Sequence, residues 1–166
     1  MQFQAEELIV YGESGVCRVL GVEPRPFLDQ VINCYKLQPL YQSCVIYTPT
    51  ENGNVFMRQI ISKEEAKAIL DGFLNSPPID LPTGAPRVVT EYYSALIKTH
   101  DCRTLASLIT SVYRKRQRLI TEKKKLSAID ERFMKKAEDL LFGELAAALE
   151  LTKPDLFGIV AEMVNA

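Results

Sequence analysis

The stretch Leu8-Ile9-Val10-Tyr11-Gly12-Glu13-Ser14-Gly15-Val16-Cys17-Arg18-Val19-Leu20-Gly21-Val22 decides how the first third of the chain is read. An apolar run of four is closed by a Gly/Ser turn cluster, and a nearly alternating run rich in β-branched residues follows. This is strand–turn–strand chemistry, since β-branched side chains suit a pleated surface and glycine supplies the turn conformations. Working outward, Pro24 and Pro26 cannot donate to a ladder, so they predict a strand end or an exposed edge around Arg25. Residues 31–37 and 43–48 read as two further strands parted at Pro39. Residues 55–60 read as a fifth, after the turn Pro49-Thr50-Glu51-Asn52-Gly53. Five short strands at regular spacing predict a small curled antiparallel barrel of SH3 or Tudor type over residues 1–61.

From Ser62 the period changes. Ser62-Lys63-Glu64-Glu65 is a capping box, with serine as N-cap and glutamate three residues on, and it predicts a helix to residue 74. Pro77, Pro78, Pro82, Gly84 and Pro86 follow closely, so residues 62–86 are expected to be a connecting helix and a proline-rich linker. Residues 87–166 read as all helical. Tyr92, Tyr93 and Leu96 share one stripe of a first helix. Leu105, Leu108, Ile109, Val112 and Tyr113 recur at three- and four-residue steps in a second, with Asp101 its expected cap. Ser127 to Asp130 opens a third, whose core face is expected to be Ile129, Phe133, Ala137, Leu140, Leu141 and Leu145. Thr152 with Pro154 starts a last short helix. The expected class is α+β, a small β-module followed by an all-α helical bundle.

Composition removes several functions. With 47% hydrophobic and 25% charged residues the chain is globular, and no apolar run nears the roughly 18 residues that cross a bilayer. The first ten residues carry acidic side chains where a secretory signal carries positive charge, so a cytoplasmic protein is expected. Cys17, Cys34, Cys44 and Cys102 form no CxxC pair, which argues against zinc or a disulfide framework and for small core hydrophobes. His100 is expected in a solvent-facing turn. No nucleophile elbow, phosphate-cradling glycine loop or HExxH helix is present, so no catalytic, cofactor or metal chemistry is expected. What stands out is charge. Residues 103–136 hold eleven cations against three carboxylates, a net of +8, whereas residues 137–166 come to −5. Such segregation makes a local field even when the total charge is −1.

The order of these features resembles the CarD/CdnL family of bacterial RNA-polymerase-binding regulators. The residues that carry the resemblance are Leu8 to Val16, Tyr35-Lys36-Leu37, Val45 to Pro49, Met57 to Ser62, Leu126 to Met134 and the closing helix with Gly143-Glu144-Leu145-Ala146. It spans roughly residues 3 to 150. The resemblance implies a Tudor-like polymerase-interaction domain that adds a strand edge to the RNA polymerase β subunit. It also implies a helical domain that contacts promoter DNA through phosphates at the upstream edge of the transcription bubble. The implied polymerase contacts fall on Arg25, Val45, Ile46 and Tyr47, with Tyr47 standing where the family has an arginine. The implied DNA contacts are Arg87 and Arg132, and an extra loop over residues 119–125 adds Lys123, Lys124 and Lys125. The family's tryptophan wedge falls on Pro86, and two of its basic positions fall on Glu91 and Glu131. Tyr92 or Tyr93 is a possible stand-in for the wedge, although their spacing suits core packing better. A monomer near the bacterial nucleoid, without membrane or cofactor, completes the expectation. The competing account is a polymerase-docking adaptor that leaves DNA alone.

Overall fold

The computed structural model describes residues 2–166, which form two compact units meeting in sequence at Ile61 and Ser62. The first unit contains β1 (Leu8–Tyr11), β2 (Gly15–Phe27), β3 (Gln30–Pro39), β4 (Ile46–Pro49) and β5 (Met57–Gln59). These strands make one antiparallel sheet in the order β4-β3-β2-β1-β5. The turn between β1 and β2 needs glycine. Gly12 has φ +49°, and a Cβ there would lie 2.7 Å from Val55 Cγ1. Its N–H also donates to Phe56 O at 2.8 Å, which ties the approach to β5 down onto this turn.

The core is built from alternate residues of the strands. Ile9, Cys17, Val19, Tyr35 and Leu37 cluster with Phe3, and Ile46 of β4 and Met57 of β5 pack against the same cluster. Both outer strands thus fold over one core, which is the curled sheet the strand spacing predicts. Phe3 is fastened by its N–H, which donates to Tyr35 OH at 3.1 Å, and its ring tilts against Tyr35.

One expectation fails here. Pro24 and Pro26 do not end β2; it runs on through both to Phe27, paired residue by residue with β3 as far as Phe27↔Gln30. Two features permit this. The ladder between β1 and β2 spans only Gly15 to Arg18, so the far half of β2 has one neighbour. A spacing of two puts both missing N–H groups on the same side of the strand, where no partner needs them. A bulge between Val19 and Gly21 adds twist just where β2 leaves β1 behind.

The second unit contains α1 (Lys63–Asp71), α2 (Pro86–Ile97), α3 (Cys102–Thr121), α4 (Ala128–Ala148) and α5 (Lys153–Asn165). Four of their starts are the caps expected from the residues. Ser62 Oγ accepts from Glu65 N, Asp101 Oδ2 from Thr104 N, Ser127 Oγ from Asp130 N and Thr152 Oγ1 from Asp155 N. Each satisfies an orphan N–H and contributes about 1 kcal/mol. Helix α4 is the centre of the bundle, packed by α1, α2, α3 and α5, and residues 141–146 are buried on every side. Ile129 and Leu140 of its expected core face are only partly buried.

Residues 62–86, expected to connect two bodies, belong to this helical unit. Helix α1 packs on α3 and α4, ending at Asp71 rather than at residue 74. Phe73 is fully buried, edge-on to Tyr113 and Phe142. Beyond it the proline segment runs along α3: Ile79 N donates to Ser111 Oγ at 3.0 Å, and Arg114 donates to Leu74 O at 3.1 Å. Prolines favour an extended chain without internal hydrogen bonds, and that shape lies on a helix surface as readily as it spans a gap.

Candidate functional site

Two surfaces merit description, one in each unit. In the sheet, Arg25 projects from β2 on the face opposite the core, and its guanidinium lies 4.1 Å from the centroid of the Tyr47 ring on β4. Beside them Lys36 of β3, the cross-strand partner of Tyr47, meets Glu23 of β2 at 3.6 Å. Alternation explains the grouping. Glu23 and Arg25 are two apart, Tyr47 lies between the inward-facing Ile46 and Thr48, and β3 carries the face from one to the other. The stacked guanidinium gains about 0.5–1 kcal/mol at such an exposed site and is held at a fixed place on the surface.

Of the four sheet residues expected to bind, the structure therefore brings Arg25 and Tyr47 together. Val45 is exposed just before β4, in the segment that leads into the strand. Ile46 is different: its side chain packs against the core, so only its backbone faces outward. The outer side of β4 carries no neighbouring strand among the described residues. The far half of β2 also has one bare side among the described residues, but Pro24 and Pro26 blunt it.

In the helical unit the expected cations are scattered in kind. Arg87 pairs with Glu91 at 3.7 Å, both well exposed, a contact worth little. Arg132 lies over the Phe133 ring. The lysine run is more ordered than a loop: α3 continues to Thr121, so the expected loop over 119–125 shrinks to its second half. Lys123 takes φ +58°, its N–H donates to Ile120 O at 2.9 Å, and Lys124 N donates to Leu119 O at 2.7 Å. These two bonds form a Schellman cap, which fixes where Lys123, Lys124 and Lys125 leave the helix. Their positive charge also faces the negative end of the α3 dipole.

Other cations of the basic stretch are committed internally. Lys115 Nζ sits 2.7 Å from Asp130 Oδ2, and Tyr93 OH donates to Asp130 Oδ1 at 2.6 Å. Burial raises the Asp130 carboxyl, but bonds from Lys115 and Tyr93, the Lys115 charge and the Ser127 cap outweigh it and hold the group below its usual range. Burial first, and then the bond to Asp130, pushes the Tyr93 phenol far up. Tyr113 OH donates to Glu138 in a second such pair. Sequence pattern alone missed this polar core, since Asp130 reads as an ordinary residue of a helix's first turn. Tyr93 is buried and Tyr92 donates its hydroxyl to Asp80 O at 3.0 Å, so neither stands free as a wedge. Pro86, at the first position of α2, is exposed next to the exposed Val88.

Residues 3–61 match the family model described as the CarD-like/TRCF RID domain, which covers the whole sheet unit. The first unit is thus similar to a RID domain, and the chain is consistent with a CarD-like protein. That domain class marks an RNA-polymerase-interacting, transcription-related protein. No curated protein matches the chain. No helix among the described residues is long and apolar enough to cross a membrane.

Proposed function

We propose that this protein is a transcription regulator that docks on the RNA polymerase β subunit through the outer edge of β4. Its helical unit would then touch promoter DNA and change the stability of the open complex. The observation that carries the docking half is the Arg25–Tyr47 stack on the sheet face next to the outer side of β4, which carries no neighbouring strand among the described residues. An incoming strand finds unpaired backbone groups on β4, and a fixed cation with an aromatic face beside them to set its register. Arg25→Glu and Tyr47→Ala in the full chain should each weaken binding to polymerase about tenfold or more. Undiminished binding by the double variant would remove the docking reading.

The DNA half rests on Lys123, Lys124 and Lys125, which carry no ion pair among the described residues and sit on an ordered helix end. Arg87, paired with Glu91, and Arg132, over the Phe133 ring, are secondary to these lysines in this reading. Such contacts are sequence-blind and salt-dependent. A contact worth one or two kcal/mol lengthens the life of an open bubble about five- to thirtyfold. A second reading, an adaptor that docks on polymerase without touching DNA, is favoured by the internal commitment of Lys115 and Arg114. Neutralising the three lysines separates the two, because only the DNA reading loses effect on promoter complexes.

A further inference from the structure

The hairpin formed by β2 and β3 ends in an exposed apolar tip. Leu28 at its apex is 88% exposed, Val31 67% and Phe27 51%, and Asp29 is the single charged residue of the turn. The loop is the two-residue kind, Leu28-Asp29, closed by the pair Phe27↔Gln30. Leu28 has φ +55°, and a positive φ at the first central residue alone is the II′ pattern, whose usual occupant there is glycine. A leucine at this place is therefore doubly unfavourable: its backbone is strained and its side chain is bare to water. Neither feature serves the fold of the hairpin. Pro24 and Pro26 stiffen the same arm, so the tip is held out from the sheet.

We infer that this tip is a hydrophobic anchor that enters an apolar pocket on the polymerase beside the strand-docking edge. The inference rests on the docking reading above and names the chemistry of the partner at one more place. Phe27 follows Arg25 by two residues, so it continues the face that carries the Arg25–Tyr47 stack. The tip is too small to hold a second copy of this chain. Even fully covered, Phe27, Leu28 and Val31 bury well under the roughly 800 Å² per partner of a stable interface. It becomes useful as an extension of a larger contact, and the neighbouring face supplies one. Burying a leucine side chain at an interface is worth about one to two decades in Kd.

The test compares Leu28→Gly and Arg25→Glu in the full chain. Glycine suits the turn, so Leu28→Gly should keep or raise the unfolding midpoint while weakening polymerase binding about tenfold or more. Wild-type affinity in Leu28→Gly, with binding still lost in Arg25→Glu, would overturn the anchor and leave the docking reading standing. Absence of polymerase binding by the wild-type chain would remove both. Concentration-dependent self-association in sedimentation, abolished by Leu28→Gly while polymerase binding is unchanged, would assign the tip to a second copy and overturn the inference.

Discussion

Replacing Asp130 with alanine should destabilise the helical unit by about 3 kcal/mol, and the number comes from its two side-chain partners. The residue is 2% exposed, accepts from Lys115 Nζ and Tyr93 OH, and its N–H uses the Ser127 cap. Truncation strands the hydroxyl of the fully buried Tyr93, a loss of about 1–3 kcal/mol. It also leaves Lys115 without its counter-charge. The Lys115 side chain keeps 22% exposure and can extend toward water, so the total falls at the low end of the roughly 3–5 kcal/mol that breaking a buried pair costs. Urea unfolding followed by helical circular dichroism reads this as a midpoint lower by about 1–2 M. The pH dependence has a definite sign. Because the folded carboxyl titrates below its ordinary value, its contribution is complete above the unfolded pKa of about 3.9 and is lost as pH falls through the folded one. Glu138 runs the other way. Burial raises it, Tyr113 and Arg116 pull it down and Asp139 lifts it; the net is upward, so its contribution fades as pH rises through the raised value. Asp130→Asn should therefore flatten the acid side of the wild-type profile. A midpoint change worth less than about 1 kcal/mol in Asp130→Ala, or an unaltered acid limb in Asp130→Asn, would refute the reasoning.

Glu150 occupies a left-handed conformation at φ +57° just beyond α4, with its charge at the negative end of that helix. Glu150→Gly should stabilise the chain by about 1 kcal/mol, seen as a higher melting temperature; a fall would contradict it. Replacing Lys123, Lys124 and Lys125 with glutamine should reduce the salt dependence of promoter-complex lifetime by a log–log slope of about 3, at roughly 0.9 per phosphate contact. An unchanged slope would mean these lysines do not meet DNA. Among the thiols, Cys44 is exposed while Cys17, Cys34 and Cys102 are buried, and burial together with Cys44 pushes Cys17 up to about 11. A thiol reagent at neutral pH should modify one cysteine quickly and the other three only on unfolding.

The β-then-α order and the four helix caps were legible because each rests on local chemistry: alternation, turn glycines, and Ser, Asp or Thr before an amphipathic run. The extent of β2 was not. Proline excludes a residue from a ladder only on the side where its N–H is needed, and which side faces a partner is a property of the sheet. The role of residues 62–86 was hidden for a similar reason. Proline density reports an extended chain, and whether that chain lies on α3 depends on Ser111, Arg114 and Phe73 finding it. The face of Arg25 and Tyr47 was half legible, since resemblance named both residues but period-2 alternation already excluded Ile46 from sharing it. Cys44 departed from the expected core role because it precedes β4 in an exposed segment.

Counted along the chain, residues 103–136 promise a strongly cationic surface, but a count of charges is not a field. Lys115 is neutralised by Asp130, Arg103 is held by Glu65 at 3.1 Å, and Arg114 serves carbonyls of the proline segment. Arg116 and Arg132 lie over the rings of Tyr113 and Phe133. Lys115, Arg103 and Arg114 tie separate segments of the bundle together, and drawing any of these five groups onto a phosphate would cost the contacts it already makes. Of the remaining cations, Arg118, Lys123, Lys124 and Lys125 lie at the Schellman end of α3, where the three lysines emerge from a fixed backbone, and Lys135 is exposed on α4. Fixing the backbone while leaving the side chains mobile suits binding that must tolerate any sequence, because phosphates recur everywhere and base edges do not. Specificity for a promoter would then come from the polymerase, which brings the chain to the bubble, and the sheet unit is the part that must recognise its partner closely.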